Sequence, residues 1–178
     1  TGDAKSTAIS QLAFATTATD PAKQALIVTE ALNRLPGFDV SKDPAKLAQL
    51  NRVLDSSRGT VQFLSLVDRF NLDARYPEII AILQQQPDSS LAVDAVKLLL
   101  GKEHRTLIQQ ALKGDDPLLA AAVAKALGNA TDNRTTPLLL TAVNDAQRPL
   151  GVRQEATKGL SRSKTGVRQL LDLVKSKK

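Results

Sequence analysis

Apolar residues recur at intervals of three and four along most of the chain. The clearest stretches carry Leu47, Leu50, Val53 and Leu54, then Val61, Leu64, Val67 and Phe70, then Val93, Val96, Leu99 and Leu100. The same spacing continues around Ile79, Ile108, Val123, Leu139, Ala156 and Leu170. Residues spaced in this way share one face of an α-helix, and no stretch alternates apolar and polar residues over the length of a strand. The chain is therefore predicted to be all-α.

Proline and glycine mark where these helices are expected to begin and end. Asp precedes proline at Pro21, Pro44 and Pro117, and Pro77 and Pro149 stand in similar places before apolar stretches. Asp caps a helix because its carboxylate accepts a hydrogen bond from an unpaired backbone N–H, and proline suits the first turn because it has no N–H to satisfy. Gly101 and Gly128 each follow a leucine, and both are predicted to close a helix in the left-handed conformation.

The predicted helices group into hairpins of regular spacing. With residues 4–15 and 21–35 included, we expect about eleven helices of about 10–15 residues. The hairpins begin near residues 4, 44, 76, 104 and 134, with half a hairpin from 164, which is a spacing of about 30–40 residues. This period predicts a right-handed α-solenoid of about five and a half hairpins, in a single domain over residues 1–178. The loop 36–43 is the expected place for a change of curvature.

The composition restricts both the core and the chemistry. Hydrophobic residues make up 42% of the 178 residues but aromatic residues only 3%, and Cys, Met and Trp are absent. Ala, Leu and Val must therefore fill the core, which suits closely packed helices. Without cysteine, these residues form no disulfide and no thiolate metal site. No apolar run is long enough to span a membrane, and the missing methionine suggests an excised piece of a longer protein.

Positive charge is concentrated in residues 148–178. The formal net charge of the chain is +6. This segment holds nine basic residues against two acidic ones, so it accounts for +7 and the remaining residues for −1. The candidate anion-binding or partner-binding surface consists of Arg148, Arg153, Lys158, Arg162, Lys164 and Arg168. These residues lie across two predicted helices and their turn, where an acidic protein, an acidic lipid or a nucleic acid could bind.

The same charges have simpler explanations. Basic side chains often form a solvated helix face, and the lysines of LVKSKK complement the dipole at a helix C-terminus. Arg153 is also expected to be structural and to lie near Asp145. The chain lacks the aromatic side chains that stack on bases, which counts against a nucleic-acid partner. A protein partner, or an adjacent domain of the same chain, is favoured instead.

The segment LLLTAVNDAQRPLGVRQEATKGL, residues 138–160, resembles a HEAT repeat. It has an apolar first helix, a turn and a second helix written V-R-x-x-A-x-x-x-L, with Asp145, Val152, Arg153, Ala156 and Leu160 at the matching positions. The segment LIQQALKGDDPLLAAAVAKALG matches in register but has Ala120 in place of the arginine. The resemblance covers most of residues 44–178 and, more weakly, 4–35. It implies an α-solenoid that serves as a scaffold or interaction module.

Short alanine-rich repeats that end in GVRQLLDLVKSKK also resemble the helical segment of large exported haem proteins of planctomycete and verrucomicrobial bacteria. In that family the repeats lie between a β-propeller-like dehydrogenase domain and a c-type cytochrome domain with a C-x-x-C-H motif. This chain has no such motif, so the resemblance implies only the spacer segment, and a periplasmic or exported location. Residues 164–175 would then be the first helix of a hairpin whose second helix is not in this sequence.

The residues that could carry chemistry have structural explanations. His104, beside Glu103 and Arg105 at a predicted helix start, is expected to be solvated. Asp115 and Asp116 are expected to cap a helix rather than to bind a metal. Neither a nucleophile elbow nor a phosphate-binding loop occurs. The sequence therefore predicts a non-catalytic scaffold or protein-interaction module without cofactor or metal, and the alternative is an anion- or nucleic-acid-binding repeat protein.

Overall fold

Helices account for nearly all of the regular structure. The computed structural model describes residues 4–5, 7–9, 11, 20–34, 44–101 and 104–176, and these residues include no strand. The α-helices whose bounds are defined are α1 Pro21–Asn33, α2 Pro44–Ser56, α3 Val61–Arg69, α4 Tyr76–Gln85, α5 Ser90–Gly101, α6 Arg105–Lys113, α7 Pro117–Asn129, α8 Thr136–Asn144, α9 Leu150–Ser161 and α10 Lys164–Ser176. Residues 4–5, 7–9 and 11 are also helical. The prediction of an all-α chain is confirmed, and the predicted loop 36–43 lies outside the described residues.

The helix starts follow the proline pattern. Proline is the first residue of α1, α2 and α7, and the second residue of α4 and α8. Before α7, the Asp116 carboxylate accepts hydrogen bonds from the backbone N–H groups of Leu118 and Leu119, at 2.9 and 3.0 Å. Pro149 differs, because α9 begins one residue later, at Leu150.

The helix end predicted at Gly101 is confirmed, but neither Gly101 nor Gly128 has the predicted left-handed conformation, and Gly128 is not a helix end. Gly101 is the last residue of α5 and Gly128 lies inside α7, and among the described glycines only Gly59 has a positive φ, of 72°. Gly128 is needed for packing instead, because a Cβ atom there would lie 2.4 Å from the Cα atom of Gly159 on α9. The two glycines therefore let the backbones of α7 and α9 approach each other directly.

The chain divides into two compact units, Thr1–Asp73 and Ala74–Lys178. The prediction of a single domain over residues 1–178 stays a prediction. In the N-terminal unit, α1 packs against α2 and α3, and α2 against α3. Leu50, Leu54, Phe63 and Leu66 are fully buried there. The turn between α2 and α3 contains Gly59 and ends at Thr60, whose hydroxyl accepts a hydrogen bond from the N–H of Phe63 at 3.2 Å.

In the C-terminal unit the helices pack in two rows. The first helices of successive hairpins contact each other in the order α4, α6, α8 and α10, and the second helices in the order α5, α7 and α9. Each hairpin also packs its own two helices together. The core between the rows contains the fully buried Tyr76, Ile79, Leu83, Leu99, Ile108, Leu127 and Leu139. Apart from Tyr76 this set is aliphatic, as the composition predicts.

One turn conformation occurs twice in the described part of the chain. Asn71 and Thr131 both have a positive φ, of 49° and 48°, and each precedes a 3₁₀ turn, Asp73–Arg75 or Asn133–Thr135. A helix with proline at its second position follows in both cases. The two copies are separated by about twice the predicted hairpin spacing of about 30 residues. This separation is compatible with the predicted hairpin spacing.

Candidate interaction surface

The six basic residues of the candidate surface all belong to the C-terminal unit but have different surroundings. Arg148 lies in the turn before α9, Arg153 and Lys158 lie on α9, Arg162 directly follows α9, and Lys164 and Arg168 lie on α10. The contacts of their charged groups divide these residues into two kinds. Some bind other groups of the protein, and the others are accessible to solvent.

The side chain of Arg148 binds other groups of the protein. Its Nη1 donates hydrogen bonds to the carbonyl oxygens of Leu112 and Gly114, both at 3.0 Å. Its Nε lies 3.6 Å from the Oδ2 of Asp145, and only 18% of the side chain is exposed. The guanidinium therefore ties the turn before α9 to the end of α6. This use leaves Arg148 poorly placed to bind an external anion.

The arginine that pairs with Asp145 was misassigned from the sequence. Arg153 was expected beside this carboxylate, but the ion pair is made by Arg148. Asp145 follows the last residue of α8, and its Oδ1 accepts a hydrogen bond from the N–H of Gln147 at 3.0 Å. The carboxylate is thus held in the turn, where Arg148 is three residues away, while Arg153 lies in the first turn of α9.

Arg162 belongs to a polar ladder that joins successive hairpins. Its Nη1 donates to the Oδ1 of Asn129 at the end of α7. The amide of Asn129 in turn donates to the carbonyl oxygen of Pro87 at 2.9 Å and to the Oδ1 of Asp88 at 3.2 Å. Lys125 Nζ pairs with the Oδ2 of Asp88 at 2.5 Å. The ladder therefore links the turn after α4 through α7 to the end of α9.

The electrostatics of this ladder favour the ionised form of Asp88. The hydrogen bond from Lys125 is the largest cause that lowers the pKa of Asp88 below its usual 3.8, and Asn129 and Arg162 act in the same direction. Asp88 and Lys125 stay partly exposed, with 65% and 35% of their side chains accessible. Water screens such a pair, so its contribution to stability is modest.

Arg134 is a second structural arginine, and the sequence reasoning missed it. Its Nη2 and Nε bind the Asp132 carboxylate at 2.7 and 3.0 Å, and its Nη1 donates to the carbonyl oxygen of Leu100 at 3.3 Å. The side-chain hydrogen bond from Arg134 lowers the pKa of Asp132. Arg134 and Arg148 thus each bind a carbonyl oxygen near the end of an earlier helix. The recognisable signal is an aspartate two or three residues before an arginine in the turn.

Arg153 and Lys158 lie on the accessible side of α9. Lys158 Nζ pairs with the Oε1 of Glu155 at 2.7 Å. Arg153 is half-buried and lines a shallow groove of about 570 Å³ together with Val143, Leu150 and Thr157. The side chain of Arg153 makes no hydrogen bond or ion pair with another described residue. Its charge is therefore available to a ligand in this groove.

Lys164 and Arg168 are exposed on α10 beside an exposed apolar stripe. Val167, Leu171 and Val174 are 40%, 54% and 72% exposed. The only residue of α10 that is buried is Gly166, within the described part of that helix. Neither Lys164 nor Arg168 pairs with an acid among the residues described. These two cations and the adjacent stripe form the most open part of the predicted surface.

Two further leucines are exposed near the starts of α7 and α9, and sequence reasoning did not single them out. Leu118 is 78% exposed in the first turn of α7, and Leu150 is 62% exposed as the first residue of α9. Each directly follows a proline. The two residues lie in the first turns of α7 and α9, which contact each other. Apolar residues directly after a helix-starting proline are the signal that could have found them.

His104 is not solvated in the way the sequence predicted. Its ring stacks on the buried Tyr76, with the ring centroids 3.5 Å apart and the planes inclined by 22°. His104 stands at the N-cap of α6, so the stack joins the start of α6 to the start of α4. The aromatic neighbour is distant in sequence, which is why the local pattern did not reveal it.

Neither a metal-binding cluster nor a membrane-spanning helix is found in the described part of the chain. No group of three or more His, Cys, Asp or Glu side chains comes together there in a way that could hold an ion. None of the described helices combines the length and the apolar character needed to cross a bilayer. Comparison of the chain with protein-family models, with curated proteins and with solved structures finds no match.

Proposed function

We propose that this chain is a HEAT-like α-solenoid that acts as a non-catalytic scaffold and binds another protein or an adjacent domain. The observation that carries the proposal is the packing of the C-terminal unit, in which each hairpin contacts the next along two rows. In a solenoid, each repeat buries its apolar face only against its neighbours, and the array offers long surfaces for binding. The hairpin spacing read from the sequence supports the same assignment.

Contacts between hairpins also support it. Arg148 joins the turn of one hairpin to the first helix of the hairpin before it, and Arg162, Asn129 and Asp88 connect three hairpins in series. These polar groups satisfy each other or backbone carbonyls. This arrangement supports a role in holding the helices in position, and it does not resemble a catalytic site.

Exposed apolar side chains support the interaction role. Leu118 and Leu150 are exposed near the starts of α7 and α9, and Val167, Leu171 and Val174 are exposed along α10. A stripe of exposed large aliphatic side chains, such as the one on α10, is typical of surfaces that bind other proteins.

The proposal is tested by placing a photo-crosslinking amino acid at position 118, 150 or 171, with Gln110 on α6 as an exposed control position. We expect a discrete protein to be crosslinked from the first set and not from position 110, and then to bind the purified chain. No crosslink above the control at any position would contradict the interaction role. A saturable turnover that one polar substitution abolishes would contradict the non-catalytic role.

The parent protein is proposed from resemblance alone to be an exported, c-type cytochrome-containing protein. The similarity of the alanine-rich repeats and of GVRQLLDLVKSKK to that family supports this assignment. Sequencing the native reading frame around this segment tests it. A C-x-x-C-H motif downstream and a signal peptide upstream are expected, and a reading frame without either would contradict the assignment.

An anion-binding function is the second candidate, favoured by Arg153, Lys164 and Arg168, whose side chains form no ion pair with an acid among the described residues. Binding of a polyanion such as heparin or single-stranded DNA should then weaken steeply with salt. It should weaken further when these three residues are changed to glutamine. Arg148→Gln is a poor probe of this surface, because Arg148 holds two backbone carbonyls. Binding that is insensitive to salt, or unchanged in the triple variant, would contradict this candidate.

A further inference from the structure

Helix α10 presents a face with two chemically different halves. At 100° per residue, Val167, Leu171 and Val174 fall in one stripe, and Lys164, Arg168 and Lys175 fall in the stripe directly beside it. All six side chains are exposed. The apolar stripe spans two turns, or about 10 Å along the helix axis. The face therefore has the size and pattern of one side of a short helix–helix contact.

The orientation of this face is fixed by the backbone of α9. A Cβ atom at Gly166 would lie 2.1 Å from the carbonyl oxygen of Leu160, so the start of α10 is in direct contact with the end of α9. The N–H of Gly166 donates to the Oγ of Ser163 at 3.0 Å, which caps the helix. Because its first turn is held in this way, α10 cannot rotate to bury Val167, Leu171 and Val174 without losing this contact.

The basic stripe is not explained by the stability of α10. Lys164 is the first residue of the helix and Arg168 lies in its second turn. Cations near a helix N-terminus oppose the helix dipole, which favours acidic residues there. Neither side chain pairs with an acid in the part of the chain that the structure describes. An acidic ligand would supply negative charge to pair with Lys164 and Arg168.

We propose that the α10 face binds an acidic amphipathic helix of a protein partner, with aliphatic residues on Val167, Leu171 and Val174 and carboxylates on Lys164, Arg168 and Lys175. This inference deepens the proposed interaction function and rests on it. Helices that lie on membranes carry Trp, Phe or Leu on a wide apolar face, whereas this stripe has three aliphatic side chains. A symmetric antiparallel contact between two copies of α10 would place their basic stripes on the same side, where they repel.

The test uses the full chain and a synthetic helical peptide of about twenty residues, about 30 Å long. The peptide carries leucine at helical spacing and glutamate on one flank. A matched peptide carries lysine in place of every glutamate. Fluorescence anisotropy should show binding of the acidic peptide and at least about tenfold weaker binding of the lysine peptide. The affinity for the acidic peptide should also fall as salt is raised.

Two double variants separate the two halves of the face. Lys164→Glu with Arg168→Glu should weaken binding of the acidic peptide and strengthen binding of the lysine peptide. Loss of folding cannot produce such a reversal. Leu171→Ser with Val174→Ser should weaken binding of both peptides. Leu26→Ser with Val61→Ser makes the same kind of change at exposed positions of the N-terminal unit and should leave peptide binding unchanged. Circular dichroism is expected to show unchanged helix content in all three.

Several results would overturn the inference. Equal binding of the two peptides would show that charge does not select the ligand. Binding of phosphatidylglycerol vesicles without binding of the acidic peptide would assign the face to a membrane. Dimerisation that Leu171→Ser abolishes would assign it to a second copy. A partner crosslinked from position 118 or 150, with no peptide binding at α10, would overturn this inference and leave the proposed interaction function standing.

Discussion

Helices α7 and α10 have the same length of thirteen residues but opposite surroundings. In α7, Ala120, Val123, Ala124, Ala126, Leu127 and Gly128 are buried, whereas in α10 only Gly166 is buried. Both sequences place apolar residues at helical spacing. The difference arises because α7 has neighbours on several sides, namely α4, α5, α6, α8 and α9, while α10 packs against α8 and α9. An apolar stripe therefore becomes core only where the next helix in the row covers it.

The largest contrast is expected from the same substitution in the two helices. Leu127→Ala should destabilise the chain by about 2–5 kcal/mol, because Leu127 is fully buried and the change leaves a cavity. Leu171→Ala should change stability by less than about 0.5 kcal/mol, because Leu171 is already 54% exposed. Urea unfolding followed by circular dichroism measures both. Similar losses in the two variants would mean that α10 is covered in solution.

A second contrast concerns two glycines in neighbouring helices. Gly128→Ala should cost about 1–3 kcal/mol, because its Cβ would overlap Gly159 Cα and push α7 and α9 apart. Gly151→Ala, in the first turns of α9, meets no atom within 4 Å. That control should be neutral or stabilising by up to about 1 kcal/mol, since alanine favours helix. If Gly128→Ala is as stable as the wild type, the close approach of the two backbones is not required.

A third contrast is between an arginine inside the fold and one outside it. Arg148→Gln should cost about 1.5–3 kcal/mol, because two carbonyl oxygens lose a charged donor. Arg168→Gln should leave the free energy of unfolding unchanged within about 0.5 kcal/mol. Equal effects would contradict the division of the basic residues into structural and accessible ones. Thermal unfolding of the two variants at the same pH provides the measurement.

The smallest effect on stability is expected from a change of pH. It concerns Asp88 and Asp132, which lie in turns of the C-terminal unit. Lys125 lowers the pKa of Asp88, and Arg134 lowers that of Asp132, relative to the usual 3.8. A carboxylate with a lowered pKa in the folded state stabilises the fold above its unfolded-state pKa. That stability is lost as the pH falls below about 3.8 towards the folded-state pKa.

Stability of the wild type should therefore decrease between about pH 4 and pH 2, and the decrease should be shallower in Asp88→Asn and in Asp132→Asn. Urea unfolding at a series of pH values measures the slope. Thr165→Ala on α10, which changes no charge, is the control and should keep the wild-type slope. An unchanged slope in both aspartate variants would contradict the assignment.

Most helix positions could be predicted from the sequence, because local chemistry determines them. Pro44 and Pro117 start helices as expected, and Asp116 caps α7. Gly128 was misread because a glycine needed for helix contact looks the same, in sequence, as one that ends a helix. Its partner, Gly159, is too distant in sequence to be linked to it by a local pattern. Tertiary packing decides between the two roles.

The candidate surface was predictable only as a set of charges. The count of basic residues identifies the region, but it does not separate Arg148, which binds Leu112 and Gly114, from Arg168, which is exposed. That distinction depends on carbonyl oxygens at the end of α6. A backbone acceptor has no signature in the sequence, so only the three-dimensional arrangement reveals it.

The use of backbone acceptors by Arg134 and Arg148 has an evolutionary consequence. Any residue at position 100 or 112 supplies the same carbonyl oxygen, so substitutions there can accumulate without removing the bond. Only the arginine and the turn that positions it need to persist. Hairpins linked in this way can drift apart in sequence while they keep their mutual geometry.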